Sequence, residues 1–129
     1  MNLQELRIGN HVLDEDGYVV KVQKIEVNRF VSVSSENIEY PSNVYGIEIY
    51  EMLFEEHPDF KKDSQGNYWI NLQTHYLKFI YTKEYWYPVY VQIPELSSED
   101  EQQVGLKRIK YIHELQNLYF VLTGDELEL

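Results

Sequence analysis

An α+β fold is predicted from three observations. Short runs of β-forming residues alternate in polarity from Tyr18 to Ile93, turn residues punctuate them, and from Lys107 the apolar period becomes that of a helix. The expected architecture is one domain of 129 residues. Residues 1–49 form a small N-terminal β unit, and residues 50–129 supply a short helix, an antiparallel β meander and a C-terminal amphipathic helix packed on the sheet.

Asn2, with Glu5 three residues on, fits a capping box opening a short helical turn that faces Leu3 and Leu6 inward. The chain then turns into a first strand, and Asp14-Glu15-Asp16-Gly17 is a hairpin turn of the Asp-Gly type. From Tyr18 to Val27 the apolar residues change parity: Val20 and Val22 share one face, Ile25 and Val27 the other. A straight strand cannot bury both sets, so a bulge is expected near Gln23 and Lys24. A turn at Asn28 and Arg29 leads to a strand from Phe30 to Ser34. A short strand from Asn37 to Tyr40 is expected to break at Pro41 and Asn43, and Val44 to Ile49 alternates with Tyr45, Ile47 and Ile49 on one face.

Tyr50 to His57 reads as a short helix, because Glu51, Glu55 and Glu56 favour helix and Pro58 closes it. Lys61 to Asn67 is polar, contains Gly66, and reads as a loop or hairpin turn. Tyr68, Ile70 and Leu72 then alternate with Trp69 and Asn71; Leu77, Phe79 and Tyr81 alternate with Tyr76, Lys78 and Ile80; and Tyr85, Tyr87, Val89, Val91 and Ile93 form one long face. Short connections at Gln73-Thr74 and Lys83-Glu84 make these strands antiparallel. Pro88 cannot donate to a ladder, which predicts an edge position or a bulge. Pro94 to Gly105 reads as a solvated acidic loop. The final helix is expected from Lys107 to Leu122, with Ile109, Ile112, Leu115, Tyr119 and Leu122 on one arc and Gly124 as its stop. Gln116 falls inside that arc and needs a hydrogen-bond partner. His113 is expected to be partly exposed beside it.

Composition bounds function mainly by exclusion. Cysteine is absent, so disulfides and thiolate chemistry are excluded. Neither a signal peptide nor an apolar stretch of the roughly 20 residues needed to span a bilayer is present, so a cytoplasmic protein with no membrane association is expected. The net charge of −11 works against binding a phosphate backbone, so no nucleic-acid partner is expected. The same charge fits solubility, or a DNA mimic in which Glu95, Glu99, Asp100 and Glu101 join an acidic stripe.

His11, His57, His75 and His113 lack the spacing of a ligand motif, so no metal or cofactor is expected. The adjacent carboxylates are expected to be solvated, the serine pairs lack a nucleophile elbow, and no catalytic residue can be named. The aromatic strands are more informative. Trp86 and Tyr90 alternate with Tyr85, Tyr87 and Val89, so one aromatic group is expected to face away from the core. Trp86, Tyr90, Trp69 and Tyr76 are therefore the candidate partner-binding residues, since Tyr and Trp dominate interface hot spots.

Two segments carry a family resemblance. Glu5-Leu6-Arg7-Ile8-Gly9-Asn10, together with the segment from His113-Glu114-Leu115-Gln116-Asn117-Leu118-Tyr119 to Leu127, resembles a family of small uncharacterised proteins of gut Bacteroidetes and their phages and prophages. Those proteins begin with an ELRIGN-like segment and end in an HxLQNLYFALTGxEL-like one. The middle departs from them: Tyr45-Gly46-Ile47-Glu48-Ile49-Tyr50 stands where they often carry a Pro-Ile-Pro-Leu-Thr-like stretch. The resemblance implies a cytoplasmic protein of mobile-element character and brings no activity, cofactor or catalytic residue. At fold level only, Ile8-Gly9-Asn10-His11-Val12 with Gly17 is similar to the start of SH3-like barrels. The expected function is a non-enzymatic protein-interaction module with an unknown protein partner or a second copy of itself. An acidic DNA-mimic inhibitor and a small enzyme without a recognisable motif are the alternatives.

Overall fold

The computed structural model describes residues 6–25, 31–35, 38–72, 75–92 and 102–129. The fold is α+β, with two antiparallel sheets and a C-terminal helix. The chain divides into two compact units, one reaching to Ile49 and taking back Tyr111–Glu128, the other running from Tyr50 to Lys110 with Leu129. The C-terminal helix belongs to the first unit, although the sequence reading groups it with the meander.

The first unit holds β1 (His11–Leu13), β2 (Val19–Ile25), β3 (Val31–Ser35) and β4 (Ile38–Ser42), paired in that order. Gly17, at φ +84°, closes the expected first hairpin. The β2–β3 register slips between Val22 and Lys24, which is the bulge that the parity change requires. Val20 and Val22 thus stay inside with Leu6, Val12, Val33 and Val44, while Ile25 reaches the surface. Pro41 does not break β4. It pairs with Ser32 on an edge strand, where a missing N–H leaves no ladder bond unmade.

Residues 44–49 form no strand. Tyr45 bridges Leu13 and Glu48 bridges Tyr111, Val44 and Ile49 are buried, and Tyr45 is 54% exposed. The alternation with Tyr45 and Ile49 on a common face is thereby corrected. Gly46 lies against the Tyr111 ring, and a Cβ there would come within 2.6 Å of it.

The helix α2 spans Ile112–Thr123, not Lys107–Leu122. Tyr111 is its extended N-cap, and the Glu114 carboxylate accepts the Tyr111 N–H at 3.0 Å. The stop is as expected: Gly124 sits at φ +77° and donates its N–H to the Phe120 carbonyl at 2.7 Å. The helix packs on β1. Gln116 is buried and accepts the His11 N–H at 2.9 Å through Oε1, with Nε2 2.8 Å from His11 Nδ1. His113 is 1% exposed, which corrects the partly exposed position expected for it, because the buried arc turns toward the helix N-terminus.

The two segments that carry the resemblance meet in this unit. Arg7 forms a two-pronged ion pair with Glu126, donates from Nε to Asn117 Oδ1 at 2.9 Å, and lies 4.1 Å over the Phe120 ring. Buried Asn10 donates to the same Asn117 oxygen at 2.9 Å.

The second unit begins with α1 (Glu51–Glu56), as expected, followed by β5 (Phe60–Lys62), β6 (Tyr68–Asn71), β7 (His75–Thr82), β8 (Tyr85–Gln92) and β9 (Gln102–Gly105) in a five-stranded meander. The strands β5 and β9 fall in segments read from sequence as loops. The strand β8 is flanked by β7 and β9, so the edge position predicted from Pro88 is also corrected. The Pro88 carbonyl accepts Leu106 N–H at 2.9 Å, so its missing N–H faces the side where the β9 ladder has ended at Gly105. Past that point, Trp86 and Ile109 exchange both backbone bonds at 2.8 Å, which holds residues before Tyr111 extended.

The core of this unit gathers around Phe54. Its ring meets those of Phe60, Tyr68, Phe79 and Trp86 at centroid distances of 4.7–5.3 Å. The Tyr68 hydroxyl lies 2.9 Å from Glu51 and 3.1 Å from Glu55, fixing α1 over the sheet, and burial with these carboxylates pushes its pKa up. The expected Asn2 cap, the turns at Asn28-Arg29 and Gln73-Thr74, and the acidic stretch Glu95–Glu101 lie outside the described residues. Among the described residues, no helix is long and apolar enough to cross a membrane.

Candidate aromatic contact site

The register of the five-stranded sheet sorts its side chains into two faces. Phe60, Ile70, Leu77 and Tyr90 form one cross-strand row, and Tyr68, Phe79 and Pro88 the next; both lie on the face that α1 covers. Trp86 shares that face opposite Tyr81 and is 4% exposed, wedged against Phe54 at 4.7 Å. It is a core residue, so its selection as a partner-binding residue is corrected. Alternation separates two aromatic sets but cannot say which one the helix covers. Tyr90 is half-buried on the same face, its ring stacked on His75 at 4.5 Å and 9°.

Trp69 and Tyr76 lie on the opposite face. One row there runs Lys61, Trp69, Lys78, Val89 and Gly105, and the next Asn71, Tyr76, Val91 and Gln103. Both rings are half-buried and meet edge-on at 5.9 Å. They line an open groove of about 510 Å³ together with Asp59, Lys61, Lys62, Asp63 and Asn71.

Asp63 orients the tryptophan. Its Oδ1 accepts the N–H groups of Gln65 and Asn67 at 2.9 Å, and its Oδ2 accepts the Trp69 indole N–H at 2.7 Å. The indole bond, aided by the two backbone donors and by Lys78, holds the Asp63 carboxyl below its usual range despite partial desolvation. The Lys78 ammonium stands 5.0 Å from the Trp69 ring centre. At the other end of this face Tyr85 carries Arg108 at 4.0 Å and Lys110 at 5.9 Å from its centroid.

The site therefore holds an indole fixed at its N–H, a tyrosine edge and ring-stacked cations. Such a surface offers contact area and charge. Of the four residues selected from sequence, the structure brings Trp69 and Tyr76 together here and leaves Trp86 and Tyr90 on the helix-covered face. Asp63, Lys78 and Arg108 were not selected. The Asp63-Ser64-Gln65-Gly66 turn was legible as a turn, but its grip on Trp69 exists only once the hairpin is closed. The chain matches no protein-family model, and no curated protein or solved structure matches it.

Proposed function

We propose that this chain is a non-enzymatic protein-interaction module whose contact surface is the accessible part of the sheet face opposite α1, centred on Trp69 and Tyr76, beside which Val91 on the same face is buried. The observation that carries this is the position of Trp69, on the face opposite the Phe54 core and fixed by Asp63 at 2.7 Å. A rigid aromatic with its polar tip already satisfied loses little side-chain freedom on binding, the property that makes Trp and Tyr interface anchors. The groove carboxylate of Asp63 is spent on three donors and held ionised, which suits orientation of a ring better than proton transfer. A cytoplasmic setting and a mobile-element character belong to this reading through the two end segments alone.

Capture from lysate of the native cell tests it, with the wild-type chain and a Trp69→Ala/Tyr76→Ala variant of unchanged far-UV circular dichroism as paired baits. A partner retained by the wild type and lost from the variant is the expected result. Equal retention by both baits excludes this face as the contact surface.

A further inference from the structure

Resting on the reading of this face as a contact surface, we propose that its occupant is an extended acidic segment of a partner protein, whose carboxylates pair with the ring-stacked cations Lys78 and Arg108. The first support is the sign of the charge. Strand positions on this face hold Lys61 and Lys78 and, among the described residues, no carboxylate; Arg108 and Lys110 add two more cations over Tyr85. The whole chain carries −11, so a local excess of cations runs against the molecule's own balance. Of the two groove carboxylates, Asp59 and Asp63, the latter is occupied by the Trp69 indole, and the cations Lys78 and Arg108 lie outside the groove lining.

The second support is that these cations rest on aromatic rings. Lys78 over Trp69 and Arg108 over Tyr85 are each biased toward one position by weak cation–π attraction, so each presents its charge at less entropic cost than a free surface lysine. Lys78 and Thr82, the strand partner of Tyr85, are four residues apart on β7, a separation of about 13 Å at roughly 3.3 Å per residue. An extended peptide with acids at positions one and five on one face spans that distance, and an apolar residue at position three lies over Ile80 and Tyr87.

The same aromatic and basic pairing also occurs where single-stranded nucleic acid stacks on a sheet. Two observations favour the peptide. Lys78 and Arg108 each occupy one face of the ring a base would need, and the total charge of −11 repels a chain bearing a phosphate at every residue far more than a segment with two carboxylates.

Fluorescence anisotropy on the intact chain tests this with three labelled probes: a peptide containing Glu-Ser-Val-Ser-Glu, its counterpart with glutamine for glutamate, and an oligothymidylate. The acidic peptide should bind, weaken with added salt, and exceed the glutamine peptide by about tenfold or more, as charge-assisted bonds do. A Lys78→Gln/Arg108→Gln variant should lose a similar factor. Should that variant fail to fold, a lysine-for-glutamate peptide replaces it, and the wild-type chain should not bind that peptide. Equal binding of the glutamate and glutamine peptides, unchanged binding by the folded variant, tighter binding of the oligothymidylate, or no binding of the acidic peptide overturns the proposal. If the acidic peptide fails while the Trp69→Ala/Tyr76→Ala bait still loses its partner, the contact surface stands and its acidic occupant falls.

Discussion

Asp14 and Asp63 perform the same task in the two units. Each opens a four-residue Asp-x-x-Gly turn whose glycine, Gly17 or Gly66, stands near φ +85°, a conformation that costs a Cβ-bearing residue energy. Each Oδ1 accepts the N–H groups two and four residues on, at 2.9 Å. Each Oδ2 then takes an aromatic donor from a later strand: the Tyr40 hydroxyl at 2.5 Å for Asp14, the Trp69 indole at 2.7 Å for Asp63. Asp63→Ala should therefore free the Trp69 ring while the Phe54 cluster around Trp86 persists. Fluorescence of a Trp86→Phe background should show Trp69 emission shifted to the red, with greater access to a soluble quencher. An unchanged Trp69 spectrum would mean that packing with Tyr76 and Lys78 positions the indole unaided. The turns themselves were readable because Asp and Gly act locally. The aromatic partners were not, since 26 residues separate Asp14 from Tyr40 and the pairing exists only in the folded sheet.

At the scale of the element, α2 shows how tertiary bonds override a good helical period. Ile109 lies at the right angle to extend the apolar arc, yet its backbone is claimed by Trp86 at 2.8 Å in both directions, so the helix starts at Ile112. Its C-terminus was legible because Gly124 marks it locally. Its buried polar residue was legible as a demand for a partner, and His11 supplies one. The start of α2 is tied to residues 44–49 by the Ile112 N–H on the Ile47 carbonyl at 2.8 Å and by Tyr111 lying on Gly46. Gly46→Ala puts a methyl 2.6 Å from that ring and should cost about 1–3 kcal/mol as overpacking. Urea unfolding followed at 222 nm checks this, and a Gly46→Ala/Tyr111→Ala double variant should recover part of the loss. No recovery would place the strain in the backbone of residue 46 instead of at the ring.

At the scale of the whole molecule, the titrating contacts are unevenly shared between the two units, and this fixes how stability responds to pH. In the first unit burial, with Lys21 nearby, lowers the His11 pKa below 6.5, against the opposing pull of Gln116 and Glu128. Below pH 6.5 the unfolded chain then takes up a proton at His11 that the folded chain refuses. Stability therefore falls as pH drops from 6.5 toward the lowered folded value. The Tyr40 hydrogen bond lowers Asp14, and Arg7 lowers Glu126, so both add losses of the same sign nearer pH 4. On the alkaline side Asp14 pushes Tyr40 up to about 12; the folded chain keeps that proton while the unfolded chain gives it up near 10, and stability declines as pH rises through that interval. The thermal midpoint followed at 222 nm, where the longer helix α2 reports on the first unit, should fall between pH 7 and 5 and again above pH 10. His11→Gln should flatten the first decline and leave the second intact. A slope between pH 7 and 5 that is the same in His11→Gln would assign the acid response to a group other than the His11–Gln116 pair. Both tryptophans lie in the second unit, whose shifted groups, Asp63 and Tyr68, titrate outside the interval from pH 7 to 5, so their emission over that interval separates the two units: a midpoint that holds while the 222 nm signal moves means that they unfold independently.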